Sequence, residues 1–397
     1  MSGEQWKWAD KLSAITPFHV MEVLKRAKDL QAAGADIVRL EVGEPDFPTP
    51  PPVLEAGREA LRKDLTRYTS ALGLPELRVA ISDWYWRTYK VKIDPQRVIV
   101  TPGTSGAFLL AFGILLNPGD RFAISDPGYP CYPNIIRMFG GVPVSIPVNA
   151  TDHYQLTPQT LAGELAAGLK GALITSPSNP TGTLITKGVM ETVLAAVCQA
   201  GGVVISDEIY HGITYGVRAV SALECSDRVI VINGFSKYFA MTGWRLGWMI
   251  VPPDAVRPVE VLAQNLFISA STLAQHAALA AFDAEPSLIE RIAEYDKKRL
   301  FLLQELPPLG FKIGVEPQGA FYIYADVSEL LKRLEVESAQ KLCGLLLEEA
   351  GVALTPGLDF GTYRADQHIR FSYATGFSKI KLGVERIKEW LENFSKR

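Results

Sequence analysis

Between residues 97 and 251, short β-branched runs alternate with longer segments whose apolar positions recur every three to four residues. The short runs are RVIVTP, RFAISDP, VPVSIPV, GALITSP, GVVISDEIY, RVIVING and RLGWMIV. Among them fall TSGAFLLAFGILL, YPNIIRMFG, TPQTLAGELAAG and TKGVMETVLAAVCQAG, which carry helical periodicity. Strands alternating with amphipathic helices predict an α/β fold, a mostly parallel sheet sandwiched by helices. Too few residues separate RVIVING from RLGWMIV for a helical crossover, so one of the two runs antiparallel to its neighbour and the sheet is mixed.

The pattern changes near residue 282. A long charged helix, PSLIERIAEYDKKRLFLLQEL, leads into FKIGVEP, AFYIYADV, a helix at AQKLCGLLLEEAG, then VALTP, HIRFSYA and a last amphipathic helix. This texture predicts a smaller α+β domain. The helix expected in FHVMEVLKRAKDLQAAG, which stops at glycine, joins it from the other end of the chain. The expected division is a large domain over 48–282 and a small one from 1–47 plus 283–397. The proline cluster PDFPTPPP marks the crossing, because proline cannot continue a ladder.

Composition then narrows the function. The 397 residues, 48% hydrophobic and 21% charged, describe an ordinary globular chain too long for one compact core. A net charge of -3 without a Lys/Arg block argues against nucleic acid or an anionic membrane as partner. The start, MSGEQWKWADKL, lacks an apolar secretory core, and the longest apolar run, FLLAFGILL, is too short to span a bilayer. Cys131, Cys198, Cys225 and Cys343 form no close pairs and read as reduced, mostly buried thiols of a cytoplasmic protein. The five histidines lack metal-ligand spacing, so no metal site is expected.

Candidate chemistry lies where strands end, since open α/β sheets bind ligands beyond their carboxyl edges. Gly103, Thr104 and Ser105 open a helix, where main-chain N–H groups can meet a phosphate; the ordinary alternative is a helix cap by Thr104 or Ser105. Tyr129 can stack on a planar ring or plug a core. Asn179 precedes a Pro-Thr-Gly turn and can serve that turn alone. Asp207 follows an apolar strand, so its carboxylate should be buried and need a cationic partner. Lys237 lies in apolar sequence, where an amine loses basicity and becomes a nucleophile. Arg245 can clamp a phosphate and Arg370 a carboxylate, although either can be a structural ion pair. Together these residues describe one ligand. A helix start and Arg245 suit a phosphate, Asp207 a pyridinium nitrogen, Asn179 and Tyr210 a phenolic oxygen. Tyr129 suits the ring face and Lys237 an aldehyde carbon. That ligand is pyridoxal 5′-phosphate.

The motifs LEVGEPDFPTP, RYTSALGLPELR, TPGTSGA, DPGYP, SPSNPTG, SDEIYHG, GFSKYFAMTGWRLG, GAFY and IRFSYA occur in that order along nearly the whole chain. In this the sequence resembles the class I/II aminotransferases, fold type I enzymes of the aspartate aminotransferase family. The resemblance implies that Lys237 carries the cofactor and then acts as general base, with Asp207 at the ring nitrogen. It implies that Asn179 and Tyr210 bind the ring hydroxyl and that Tyr129 stacks on the ring. Gly103, Thr104, Ser105 and Arg245 would hold the phosphate. Tyr68 would reach the neighbouring subunit's phosphate in a homodimer, Gly43 would meet substrate through its backbone, and Arg370 would clamp the α-carboxylate. Many relatives have serine where this chain has Gly234; Ser236 offers a nearby hydroxyl.

Aspartate-specific relatives place a second cation near the substrate side chain. QNLFISAST (264–272) has no Lys or Arg, and the other wall offers Phe18, His19, Val20 and Met21. Apolar walls favour a neutral or aromatic side chain, such as alanine, a branched-chain residue or an aromatic one. The expected activity is therefore a ping-pong transfer of an amino group between such an amino acid and a 2-oxo acid. The alternatives are an aspartate aminotransferase, a C–S β-lyase on the same fold and a PLP-binding regulator. The last would need a DNA-binding domain ahead of the fold.

Overall fold

A computed structural model describes residues 6–17 and 19–394. The chain begins with helix α1 (His19–Ala32) and strand β1 (Val38–Arg39), then helices α2 (Pro51–Arg62) and α3 (Pro75–Tyr89). Next come β2 (Val98–Thr101), α4 (Gly103–Leu115), β3 (Arg121–Asp126), α5 (Cys131–Met138) and β4 (Val142–Pro147). They are followed by α6 (Pro158–Ala166), β5 (Gly171–Thr175), α7 (Lys187–Gln199), β6 (Val203–Asp207), β7 (Val229–Gly234) and β8 (Gly247–Ile250).

These seven strands form one sheet in the order β2-β8-β7-β6-β5-β3-β4. Strand β8 is antiparallel to both neighbours, and the other contacts are parallel. The short link before β8 thus has the consequence expected of it. Every residue of β5 and β7 is buried, because helices cover both faces. On one face Ile205, Ile230 and Met249 pack with Phe108 and Phe112 of α4. On the other, Val204, Val231 and Trp248 pack with Trp84 of α3 and Val193 of α7. The outermost strand, β4, tolerates Pro143 and Pro147 because it needs ladder bonds on one side only.

Helices α8 (Val256–Leu266) and α9 (Thr272–Leu279) lead to the 25-residue α10 (Glu285–Leu309). Beyond it, β9 (Lys312–Ile313) and β10 (Tyr322–Asp326) precede α11 (Ser328–Leu334) and α12 (Ala339–Ala350). Then come β11 (Val352–Ala353), β12 (Thr355–Pro356), β13 (His368–Ser372) and α13 (Phe377–Phe394). An antiparallel sheet runs β12-β13-β10-β9, and β1 pairs in parallel with β11.

Three local readings change. Pro51 and Pro52 do not simply interrupt the chain: they open α2, where the first turn needs no N–H donor. Helices α3, α8 and α9 are also absent from the sequence pattern; α3 packs on β2, α8 on α4, and α9 on α2 and α3. Of the four cysteines only Cys343 is fully buried; Cys131 and Cys225 are half-buried, and Cys198 is exposed near the end of α7. Among the described residues no helix is long and apolar enough to cross a membrane.

Candidate active site

Since β8 alone is reversed, its first residues lie at the same edge as the last residues of β2, β3, β5, β6 and β7. Gly234 pairs with Gly247, so Lys237 after β7 and Arg245 before β8 emerge at that edge. A cavity of about 350 Å³ opens there. Gly43, Thr104, Tyr129, Asn179, Asp207, Tyr210, Lys237 and Arg370 line it. Tyr68 does not; it is 79% exposed.

Lys237 is half-buried and its Nζ donates to the Gly43 carbonyl at 2.7 Å. Loss of solvation lowers the amine to about 8, and Glu44 and Asp207 pull the other way. Gly43 itself meets Tyr322 so closely that a Cβ would collide with the phenol oxygen.

Asp207 is 3% exposed. Among the described residues it forms no salt bridge with a Lys or Arg side chain. Its Oδ2 accepts from the Tyr132 hydroxyl at 2.6 Å and its Oδ1 from the Ile209 N–H at 3.1 Å. Burial pushes its carboxyl up to about 6, with these two bonds opposing. A buried carboxylate supported by neutral donors retains attraction for a cation brought by a ligand.

Arg370 is 4% exposed. Nη1 donates to Asn179 Oδ1 at 2.9 Å, and Nη2 to the Glu41 carbonyl at 2.6 Å and Thr355 Oγ1 at 3.3 Å. Its Nε has no partner among the described residues. The guanidinium lies 4.4 Å from the Tyr322 ring centre and 4.7 Å from that of Phe360. Asn179 is therefore more than a turn residue. The Tyr210 hydroxyl meets that of Tyr322 at 2.7 Å.

At the Gly103 turn no side chain caps α4, so Thr104 and Ser105 do not play the ordinary capping part. The first-turn N–H groups remain for an anion. The Arg245 guanidinium lies over this turn: a Cβ on Gly103 would stand 2.7 Å from Nη2. Nη1 donates to the Thr242 carbonyl at 2.9 Å. The turn rests on the Gly234–Gly247 pair. A Cβ on Gly247 would come within 2.8 Å of the Gly103 carbonyl carbon, and one on Gly234 within 3.2 Å of the Thr104 methyl. A side chain at position 234 would thus sit tightly against the turn. Ser236 is buried and does not line the cavity.

Of the apolar wall, Val20 and Met21 line the cavity, whereas His19 faces a neighbouring one and Phe18 lies outside the described residues. No residue of 264–272 lines it. Sequence reasoning missed Phe108, Tyr132, Tyr322, Asp359 and Phe360 as cavity residues. Tyr322 was within reach, standing in the GAFY motif; Asp359 sits in an ordinary-looking Pro-Gly-Leu-Asp-Phe-Gly turn with no signal of its own. The glycine cradle, the uncompensated Asp207 and the poorly basic Lys237 fit a phosphorylated pyridine aldehyde.

A family model described as aminotransferase class I and II matches residues 35–387. A valine–pyruvate aminotransferase of Mycobacterium tuberculosis is 40% identical, covering 96% of this chain and 97% of that protein. An aspartate aminotransferase of Geobacillus stearothermophilus is 36% identical, covering 97% of this chain and 99% of that protein. A crystal structure of an aminotransferase from Mycobacterium tuberculosis superposes with a TM-score of 0.93 at 38% identity. The match covers 98% of this chain and all of that one.

Proposed function

This chain belongs to the class I and II aminotransferases, pyridoxal 5′-phosphate-dependent enzymes, and from that premise we propose a neutral or aromatic amino donor. The amino group passes to a 2-oxo acid in a ping-pong cycle. One observation carries the substrate reading: of the charged residues lining the cavity, Lys237 and Arg370 are the cations, and each has a task. Arg370 takes the α-carboxylate, and Lys237 works at the reacting carbon. Among the described residues no lining cation is left for a second carboxylate, while Val20, Met21 and Phe360 offer apolar contact. The valine–pyruvate relative agrees with this choice and the aspartate relative does not.

Bound pyridoxal phosphate supplies an electrophilic carbon and an electron-accepting ring. The chain's own residues do the rest. Lys237 Nζ, poorly basic in its buried setting, takes the Cα proton and returns it one position away. Asp207 holds negative charge where the ring nitrogen carries its proton. Asn179 and Tyr210 bind the ring oxygen, and Tyr129 covers the ring. Gly103, Thr104, Ser105 and Arg245 hold the phosphate. Arg370, already braced by three acceptors, fixes the substrate carboxylate without having to reorganise.

The proposal extends to a homodimer in which Tyr68 reaches the neighbouring site. Its loop is braced, Thr272 Oγ1 donating to the Arg67 carbonyl at 2.5 Å and Gln275 Nε2 to Thr69 Oγ1 at 3.1 Å. An exposed aromatic on a braced loop suits an interface. The two-lobe division, 48–282 against 1–47 with 283–397, is part of the same reading. The seven sheet strands fall within the first range and the four-stranded sheet within the second. Free cysteines agree with a cytoplasmic setting.

Half-reaction rates with aspartate, alanine, leucine and phenylalanine decide the substrate class. Leucine, alanine or phenylalanine should be fastest; aspartate in first place defeats the substrate reading.

A further inference from the structure

The cavity wall formed by Val20 and Met21 belongs to a chain segment held at two points by buried side chains, those of Asn134 and of Asp359, the second of which also lines the cavity. Asn134, 8% exposed on α5, grips Thr16 in both directions. Its Oδ1 accepts from the Thr16 N–H at 3.3 Å and from the Thr16 hydroxyl at 3.4 Å, and its Nδ2 donates to the Thr16 carbonyl at 3.1 Å. Nδ2 also reaches the Pro130 carbonyl at 3.4 Å, beside Tyr129. Asp359, 5% exposed, accepts the Val20 N–H on Oδ1 at 3.3 Å, in the first turn of α1. It precedes Phe360, whose ring packs on Arg370. The two grips thus tie one wall to the Tyr129 side and to the Arg370 side of the same cavity. A buried carboxylate at a helix start gains from both the N–H and the helix dipole, so the grip at Val20 is directional.

We propose that Asp359 and Asn134 are positioning residues that set side-chain selectivity, by clasping the main chain at Val20 and Thr16 so that Val20 and Met21 stand as a fixed apolar wall. This rests on the reading of the cavity as the site of a neutral amino acid. A substrate side chain as long as that of leucine packs on the wall, and the methyl of alanine does not reach it. Loosening the clasp therefore penalises long side chains selectively and acts through KM more than kcat.

The test uses the holoenzyme and the ratio of kcat/KM for leucine to that for alanine. Asp359→Ala should lower this ratio about tenfold. Asp359→Asn keeps an oxygen for the Val20 N–H and should restore it to within about threefold of wild type. Asn134→Ala should move it the same way and serves where Asp359→Ala does not fold. Val20→Ala should reproduce the shift, and combining it with Asp359→Ala should add little, because both act on one wall. An unchanged ratio in Asp359→Ala or Asn134→Ala overturns the proposal, as does an Asp359→Asn variant no better than Asp359→Ala. Wild-type preference for aspartate would instead defeat the substrate reading beneath it, so the two failures are distinguishable.

Discussion

The proposed function assigns two anion-binding regions, one at the Gly103 turn beside the cavity and one at Arg370 within it, and they are built in contrasting ways. At the Gly103 turn the donors are main-chain N–H groups at the start of α4, resting on the Gly234–Gly247 pair. Arg245 adds its charge there from an exposed position, anchored through the carbonyl of Thr242. At the other region Arg370 is buried, bonded to Asn179, Glu41 and Thr355, and packed between Tyr322 and Phe360. The first region is backbone supported by the absence of side chains. The second is a side chain immobilised by other side chains. Solvent screens the exposed arginine, so on the proposed reading the main chain would carry most of the first region's affinity. The buried fork is desolvated and preorganised, so it carries nearly all of the second's.

On the proposed reading Lys237 works at the reacting carbon, and removing it should outweigh any change in either region. Lys237→Ala should reduce activity about ten-thousand-fold and abolish the visible cofactor band. A variant that keeps both would remove the amine from the scheme. Next in size, Arg370→Gln should lower kcat/KM about 100-fold to 1,000-fold, because two charge-assisted bonds are lost. Gly247→Ala should weaken cofactor binding at least about tenfold by pressing a methyl on the Gly103 turn. Arg245→Gln should cost about tenfold or less, recoverable with excess cofactor, since its guanidinium is in water. Equilibrium dialysis and steady-state kinetics give this order. If Arg245→Gln proves worse than Arg370→Gln, the contrast between the regions is wrong.

The effects of pH on the cofactor-free protein are of another kind, since they bear on cofactor capture and stability and not on turnover. The Lys237 amine should combine with pyridoxal phosphate faster as pH rises through about 8, where it loses its proton. Stopped-flow absorbance of wild type measures this; a flat rate between pH 7 and 9 contradicts the depressed basicity. Asp207 has its folded carboxyl raised from 3.8 to about 6. Below 3.8 it is protonated in both states and costs nothing. As pH rises to about 6 the unfolded state ionises first, so stability falls by about 3 kcal/mol, and no further above. Urea unfolding should show that decline in wild type and a shallower one in Asp207→Asn.

Glu208, next to Asp207, shows where sequence reading stops. Both are buried carboxyls on one strand end, yet Glu208 turns to Ser206, Ser221 and the Ala222 N–H, and burial lifts it to about 8. Nothing in SDEIYHG says which carboxyl faces the cavity, except the resemblance to a family. The family motifs pointed to Lys237 and Asn179 because such residues follow strand ends, and to Arg370 because it is a cation inside an apolar strand, β13; both contexts are visible in a period of two. Tyr132, Asp359 and Asn134 carry no such mark, for a tyrosine or asparagine on a helix reads as ordinary packing.

By itself the sequence determined the alternation of strands and helices, that one of β7 and β8 is reversed, and the cofactor that the candidate residues suit; the structure showed that the reversed strand is β8. Those depend on local periodicity and link length, which short stretches of chain already contain. Only the tertiary structure decided which groups meet. Tyr132 reaches Asp207 from 75 positions away, Tyr210 and Tyr322 are 112 apart, and Arg370 finds Asn179 across 191. Such partnerships follow from how the two sheets and α1 close around the cavity. Burial also sets the charge of Lys237 and Asp207, through desolvation that no isolated segment can impose.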